Sequence, residues 1–307
     1  MSEKQLHAVV GAAGATGQRV VAHLLEAGCR VRALTRDGRP VGHPNAELST
    51  VDARDPVALV AATDGAAVIH HCAMPPIGRW QQDFAPLTDA VIVAAGATGA
   101  RVVYADDTWM YGRVSGPMTP DLPYRPVGPL GVLRAWLAER LEHAAATGRI
   151  RLSIVRAGEL YGPGVRSMIA GNVFDGVGPT SQALWFGSPD LPITPTYIDD
   201  FARTVATVGR QDTADCAVWH VPSPEPTTGR QFVRLVAEQA DRRASVTAVR
   251  TWHLRALGSV VPLARKGVEL LYQFEQPFVI DGTATMRAFD LSPTPYSVGV
   301  QESLSCP

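Results

Sequence analysis

The stretch VVGAAGATGQRVV, residues 9–21, constrains the fold of this chain more than any other. Gly11, Gly14 and Gly17 separate an apolar run, LHAVVG (6–11), from a helical pattern, ATGQRVVAHLLEAG (15–28). Glycines at a strand-to-helix turn let the chain reverse tightly and let its backbone approach a pyrophosphate. The helix behind them offers unpaired N–H groups and the positive end of its dipole. The spacing, Gly-x-x-Gly-x-x-Gly, is a variant of the usual dinucleotide fingerprint. Its weight comes from context: a first strand before it, a first helix after it, and a βαβ run beyond. A phosphate cradle built from Gly11, Gly14, Ala15, Thr16 and Gly17 is expected.

The βαβ run covers the first 156 residues. Strands are expected at CRVRALT (29–35), AELSTVD (46–52), AAVIHHC (66–72), ARVVYAD (100–106) and IRLSIVR (150–156). Helices are expected at DPVALVAAT (55–63), DFAPLTDAVIVAAGATG (83–99) and LGVLRAWLAERLEHAAATG (130–148). Strands spaced by helices of this length make a parallel sheet, and right-handed crossovers make it doubly wound. The expected fold is α/β of Rossmann type, with residues 1–156 as the dinucleotide-binding domain. In the helix from Leu130, the residues Leu133, Trp136, Leu137 and Leu141 recur at helical spacing and should pack on the sheet.

After Arg156 the pattern changes. Residues 157–196 are rich in Gly and Pro. TYIDDFARTVATVG (196–209) and the Thr-capped TTGRQFVRLVAEQA (227–240) read as helices, and AVWHVP (217–222) as a strand. WHLRALGSVV (252–261) and ARKGVELLYQF (264–274) suggest further helix. Residues 157–307 are therefore expected to form mainly a smaller substrate-binding lobe, with elements returning to the first domain.

Composition excludes several classes. The chain has 307 residues, 46% hydrophobic and 19% charged, with a net charge of -1. That is enough for a sizeable core, and it gives no basic face for nucleic acid. Arginine carries almost all the positive charge, since Lys4 and Lys266 are the only lysines. Cys29, Cys72, Cys216 and Cys306 have no metal-type spacing, which suits reduced thiols and no metal site. Only MSEKQ precedes the first strand, so no signal peptide is expected. No apolar run approaches the ~20 residues of a membrane span. A cytoplasmic protein with a small-molecule substrate is the expectation.

The second strand ends at Thr35-Arg36. A carboxylate there would bind the ribose 2′-hydroxyl of NAD, whereas an arginine suits the 2′-phosphate of NADP. Arg36 favours NADP, and Asp37 beside it keeps NAD open.

GAAGATG (11–17), VDARD (51–55), VIHHCAMP (68–75), VVYADDTWMYG (102–112), RAGELYGPG (156–164), PTYIDDFAR (195–203) and DLSPTPY (290–296) together resemble the extended short-chain dehydrogenase/reductase family, of the NAD-dependent epimerase/dehydratase type. The resemblance covers nearly the whole chain. It implies that Asp52 and Ala53 border the adenine, and that Cys72 and Ala73 line the nicotinamide ribose. Relatives often dimerise through helices matching 83–99 and 130–148. Both have apolar faces here, though so does any helix covering a sheet.

The departures fall on the catalytic residues. Counting back from Tyr111-Gly112, the family's Ser/Thr position holds Asp107, its Tyr position Leu130 and its Lys position Arg134. None of the seven tyrosines has a lysine four residues later. Leu130 cannot transfer a proton. Arg134 can still hydrogen-bond the ribose, but it stays protonated and cannot act as a base.

Two carboxylates stand where relatives carry neutral polar groups: Asp107 and Glu159, the latter in place of an Asn. A carboxyl group shielded from water gains a raised pKa and can run acid/base chemistry. The plainer readings are a turn residue for Asp107, and for Glu159 an ion pair with Arg156 or Arg166. His71 and Tyr161 are further candidates for proton transfer. Trp80, Trp109, Met110 and Trp185 could wall an aromatic pocket, and core packing explains each equally well. Three functions fit: an atypical NADP(H)-dependent reductase of a hydrophobic or ring-bearing carbonyl or enone; a non-redox cyclase, dehydratase or isomerase; and a nucleotide-binding regulator without turnover.

Overall fold

In chain order the first elements are β1 (Leu6–Val10), α1 (Ala15–Glu26), β2 (Arg30–Thr35), β3 (Glu47–Thr50), α2 (Pro56–Ala62), β4 (Val68–His71), α3 (Trp80–Thr98), β5 (Arg101–Asp106), α4 (Gly128–Ala146) and β6 (Arg151–Arg156). Shorter pieces follow: β7 (Leu160–Tyr161), α5 (Asp175–Val177), β8 (Gln182–Phe186), β9 (Pro192–Ile193) and β10 (Thr196–Tyr197). The chain then runs through α6 (Ile198–Arg210), β11 (Ala217–His220), β12 (Thr227–Thr228), α7 (Gly229–Gln239), β13 (Ser245–Val249), α8 (Thr283–Phe289) and α9 (Tyr296–Ser305). The computed structural model describes residues 5–177, 182–212, 217–250, 252 and 268–305. Of the helix expected at 252–261 all but Trp252 lies outside the described residues, as do residues 264–267 of that expected at 264–274; in the described remainder of the latter, Leu271–Phe274 forms a 3₁₀ turn.

The central sheet has seven strands in the order β11-β6-β5-β4-β1-β2-β3. Its ladders from β3 to β6 are parallel, as the helical crossovers require. β1 is buried along its whole length because β2 and β4 flank it on either side and helices cover its faces. From β1 the chain steps one way to β2 and β3, then crosses back to β4. The order therefore reverses between β1 and β4, and ligands of such sheets bind at the carboxyl ends of the strands there. The doubly wound Rossmann architecture is as expected.

By their contacts the residues fall into two units. One holds residues 1–106, 136–156 and 201–219, which carry the large sheet; the other holds 107–135, 157–200 and 220–307. In the second unit β7 pairs with β10, β9 with β12 and β8 with β13. Its core sets Phe232 edge-on to Tyr161, Phe174 and Tyr296, with Tyr197 tilted against Tyr161. Thr228 and Gln231 close a capping box on α7.

Local chemistry sets the ends. Asp55 accepts the N–H groups of Val57 and Ala58 and so starts α2. α3 begins at Trp80, three residues before the expected Asp83, because a 3₁₀ turn over Ile77–Arg79 leads into it and Arg79 reaches Asp83 at 2.6 Å. In α4, Leu137 and Leu141 are buried as expected, but Trp136 is 40% exposed, under the Arg140 guanidinium. One position along a helix is a turn of about 100°, so the neighbour of a core leucine faces outward. Among the described residues no helix is long and apolar enough to cross a membrane.

Candidate active site

The loop after β1 is closed by two contacts that only glycine permits. Gly11 has φ +82°, and a Cβ there would lie 2.5 Å from Ala73 Cα. A Cβ on Gly17 would lie 2.2 Å from the Gly11 carbonyl oxygen. Gly14 is the N-cap of α1, with no side chain bonded to the helix end. The first-turn N–H groups of Ala15, Thr16 and Gly17 have no partner within the helix. Ala73 follows β4, so the loop and the β4 end meet at the reversal point of the sheet. This cradle fits the pyrophosphate of a dinucleotide: exposed backbone, no Cβ at the approach, and a positive helix end.

Around it the expected nucleotide residues take different settings. Arg36 and Asp37 are exposed at the end of β2. Asp37 is bonded by Arg39 at 2.7 Å, which holds its carboxyl low. Asp52 is held at about 2, first by its hydrogen bonds from Arg54, with Arg36 adding to the effect. Arg54 extends the chain of charges to Asp83 at 3.1 Å, and Arg79 completes it. Ala53, next to Asp52, is half-buried. Cys72 donates its N–H to Val10, and burial pushes its thiol up to about 12, so it is a poor nucleophile.

In the second unit, Asp107 and Arg134 meet. Arg134 Nε lies 2.9 Å from Asp107 Oδ2, and the Trp109 N–H donates to Asp107 Oδ1 at 2.9 Å. Arg134 is 4% exposed, so its charge is balanced at close range. Leu130 is also buried, and its N–H donates to Glu269 Oε2 at 3.1 Å. The indole N–H of Trp109 donates to Gln273 at 3.2 Å. Met110 is fully buried, and Trp185 packs edge-on against Phe274 over Gly229.

Glu159 has neither of the expected arginine partners. Its Oε1 accepts the Met168 N–H at 2.6 Å and the Ile169 N–H at 3.4 Å. Arg156 turns instead to Asp106 at 3.3 Å and Glu142 at 3.9 Å, inside the first unit. Burial raises the Glu159 carboxyl pKa, against the opposing pull of Met168, Ile169 and Ser167. Beside it lies a cavity of about 10 Å³, bordered by Ile193, Thr194, Gln273, Phe274 and Phe278. That is room for about one water.

The other candidates sit deeper. Tyr161 is fully buried in the aromatic core of the second unit, and burial raises its pKa strongly. His71 is buried against the Tyr104 ring at 5.0 Å, while its neighbour His70 bonds His7 at 3.0 Å. Trp80 is buried in the first unit with its N–H on Pro75. Thus Asp107, Trp109 and Arg134 come together in the second unit, with Glu159 joined to them through Gln273. Among the described residues no cluster of three or more His, Cys, Asp or Glu is placed to hold a metal ion. Sequence reading missed Glu269, Tyr272 and Gln273, which pack on the Asp107 group from more than 130 residues away.

Comparison with known proteins agrees with this geometry. The NAD dependent epimerase/dehydratase family matches residues 7–214. A comparison with curated proteins returned no match. The chain is similar to the UDP-glucuronic acid 4-epimerase of Bacillus cereus in complex with NAD, at 16% identity over 98% of both chains and a TM-score of 0.79. It is similar to the UDP-glucose 4-epimerase of Thermotoga maritima, solved with UDP-glucose, at 17% identity over 98% of both chains and a TM-score of 0.79. For the dTDP-glucose 4,6-dehydratase of Streptomyces venezuelae, identity is 20% over 98% of this chain and 96% of that one, with a TM-score of 0.78. At these identities the likeness speaks for the fold.

Proposed function

The chain belongs to the NAD dependent epimerase/dehydratase family, and on that premise we propose that it is an atypical NADP(H)-dependent reductase of a small hydrophobic or ring-bearing carbonyl compound, an enone above all. The observation that carries the reading is Glu159, a carboxyl group whose pKa burial raises, beside a small and largely apolar cavity. Such a group holds a proton nearer neutrality than an exposed glutamate does.

A nicotinamide dinucleotide, when bound, supplies hydride. This chain's residues supply the rest. Leu130 offers no proton where the family's tyrosine would. Arg134 keeps the cation that the family's lysine provides, and Asp107 fixes its position. Glu159, or water admitted beside it, gives a proton to carbon. That division suits conjugate reduction, in which the carbon next to the carbonyl takes the proton. Arg36 supports NADP over NAD, because Asp37 is engaged by Arg39. Epimerases and dehydratases of similar fold bind NAD, which keeps NAD as the second cofactor. Exposed Val93 on α3 and Trp136 on α4 support a homodimer through those helices.

The test is consumption of NADPH with a panel of enones and ketones, followed by reduced-nicotinamide absorbance. Glu159→Gln should lower turnover about a hundredfold with its circular dichroism unchanged. Undiminished turnover in that variant refutes the carboxyl mechanism. A substrate converted with no change in nicotinamide absorbance overturns the reductase reading in favour of a non-redox enzyme.

A further inference from the structure

The stretch from Glu269 to Glu275 lies on Leu130 and Trp109 and beside Asp107. Glu269 takes the Leu130 N–H at 3.1 Å. It also packs so closely on Gly128 that a Cβ there would sit 3.0 Å from its carboxylate. Gln273 takes the Trp109 indole N–H at 3.2 Å. Glu275 pairs with Arg113 at 2.9 Å, and the Arg113 guanidinium lies 5.7 Å from the centre of the Tyr272 ring. Three side-chain contacts and one cation over a ring thus hold the 3₁₀ turn Leu271–Phe274 in place.

Tyr272 is the residue this docking presents. It is 2% exposed, and its hydroxyl has no hydrogen-bond partner among the described residues. Buried hydroxyls without a partner are uncommon and costly, and they call for a reason. The neighbouring carboxylate, Asp107, does not accept from the Tyr272 hydroxyl. Asp107 Oδ1 takes the Trp109 N–H and Asp107 Oδ2 faces Arg134. Burial and the Asp107 charge both push the phenol pKa up, which keeps the proton on oxygen. Tyr161 and Tyr296 also have hydroxyls unpartnered among the described residues, but both belong to the aromatic core with Phe232. Tyr272 stands beside a charged pair instead. Asp107 leaves 21% of its side chain exposed, so the cluster is open to solvent on that side.

We propose that Tyr272 is a catalytic hydroxyl that donates a hydrogen bond to the carbonyl oxygen of the substrate, the contact Leu130 cannot make. This rests on the reductase reading. As hydride adds to the β-carbon of an enone, the carbon–carbon π pair shifts toward carbonyl carbon and the carbonyl π pair moves onto oxygen. The Tyr272 O–H stabilises that oxygen while keeping its own proton. The α-carbon then takes its proton from Glu159 or water, and the saturated ketone forms.

The test uses 4-nitrophenolate as an oxyanion probe, titrated against the NADP⁺-loaded protein and read by its absorbance shift. Tyr272→Phe keeps the ring contacts with Phe278 and Arg113, so the fold should hold, as circular dichroism would verify. The expected result is binding by the wild type, about tenfold weaker binding by Tyr272→Phe, and unchanged binding by Tyr296→Phe. Equal affinity of Tyr272→Phe and wild type overturns the proposal. So does a wild type that does not bind the probe. If the affinity falls as expected while no carbonyl compound consumes NADPH, the Tyr272 site stands and the reductase reading falls.

Discussion

Gly11 and Gly28 allow a clean separation of conformational strain from steric strain. Their backbone angles match, with φ +82° and φ +80°. Their surroundings do not. A Cβ at Gly28 would meet nothing within 4 Å, whereas one at Gly11 would lie 2.5 Å from Ala73 Cα and 2.6 Å from Ala73 N. Those are backbone atoms, which no rotamer change can move aside. Placing alanine in the left-handed region costs about 1 kcal/mol at either site. Overpacking against a fixed backbone adds about 1–3 kcal/mol at Gly11 alone. Gly28→Ala should therefore lose about 1 kcal/mol in urea unfolding, and Gly11→Ala about 2–4 kcal/mol. The steric part also pushes Ala73 off the phosphate loop, so Gly11→Ala should bind NADP⁺ at least tenfold more weakly by calorimetry, with Gly28→Ala unaffected. Equal losses of stability in the two variants would show that the close approach of Gly11 to Ala73 does not hold this loop. Retained NADP⁺ affinity in Gly11→Ala would remove the loop from the nucleotide site.

Two further outcomes follow from charges in the first unit. Arg36→Ala should weaken NADP⁺ about tenfold or more and leave NAD⁺ within about twofold, since a guanidinium to phosphate contact is charge-assisted; equal losses for both nucleotides would refute the 2′-phosphate role. The buried pair His7 and His70 should make stability fall in acid. Burial, with Arg101 and Arg210 adding to it, holds His7 at about 4, against 6.5 when unfolded, and His70 is lowered too. The unfolded chain therefore takes up protons first. Stability is full above about pH 6.5 and is lost as pH falls toward 4, by about 3 kcal/mol for His7 alone. Urea midpoints across that range measure it, and a His7→Gln variant with the same slope would refute the assignment.

Legibility followed sequence distance. The phosphate loop could be read because its three glycines, its strand and its helix lie within one short stretch, and each physical requirement acts locally. Helix ends were less certain where a side chain outside the pattern decides them, as Arg79 does at the start of α3. Trp136 was misjudged because apolar character alone does not say which way a helical residue faces, and Arg140 covers it at the surface. The partners of Glu159 were misjudged for a different reason. Charge suggested Arg156 or Arg166, but Arg156 is consumed by Asp106, and backbone N–H groups take the glutamate. Tyr272 could not be read at all. Nothing in ELLYQFEQ marks a site, and its meaning arises only when that segment packs on Asp107 and Trp109.

The charge balance of this group bears on the proposed reduction. In relatives a tyrosine acts beside a lysine, so a cation stands near the developing negative oxygen. Here Arg134 is matched at 2.9 Å by Asp107, and the pair has no net charge. Its field falls off steeply compared with that of a lone ammonium. A hydroxyl dipole such as that of Tyr272 would then be the main local stabilisation of charge on the substrate oxygen. Reduction of a simple ketone concentrates a full charge on that atom and demands its proton at once. Reduction of an enone spreads the charge over oxygen and carbon and lets the proton arrive at carbon, from a second group. A neutral Arg134–Asp107 pair, a hydroxyl donor and a separate carboxyl group fit the second demand better than the first. The same neutrality disfavours a diphosphate close to Asp107, whose carboxylate would face it, and this sets the proposed substrate apart from the sugar nucleotides named for proteins of similar fold.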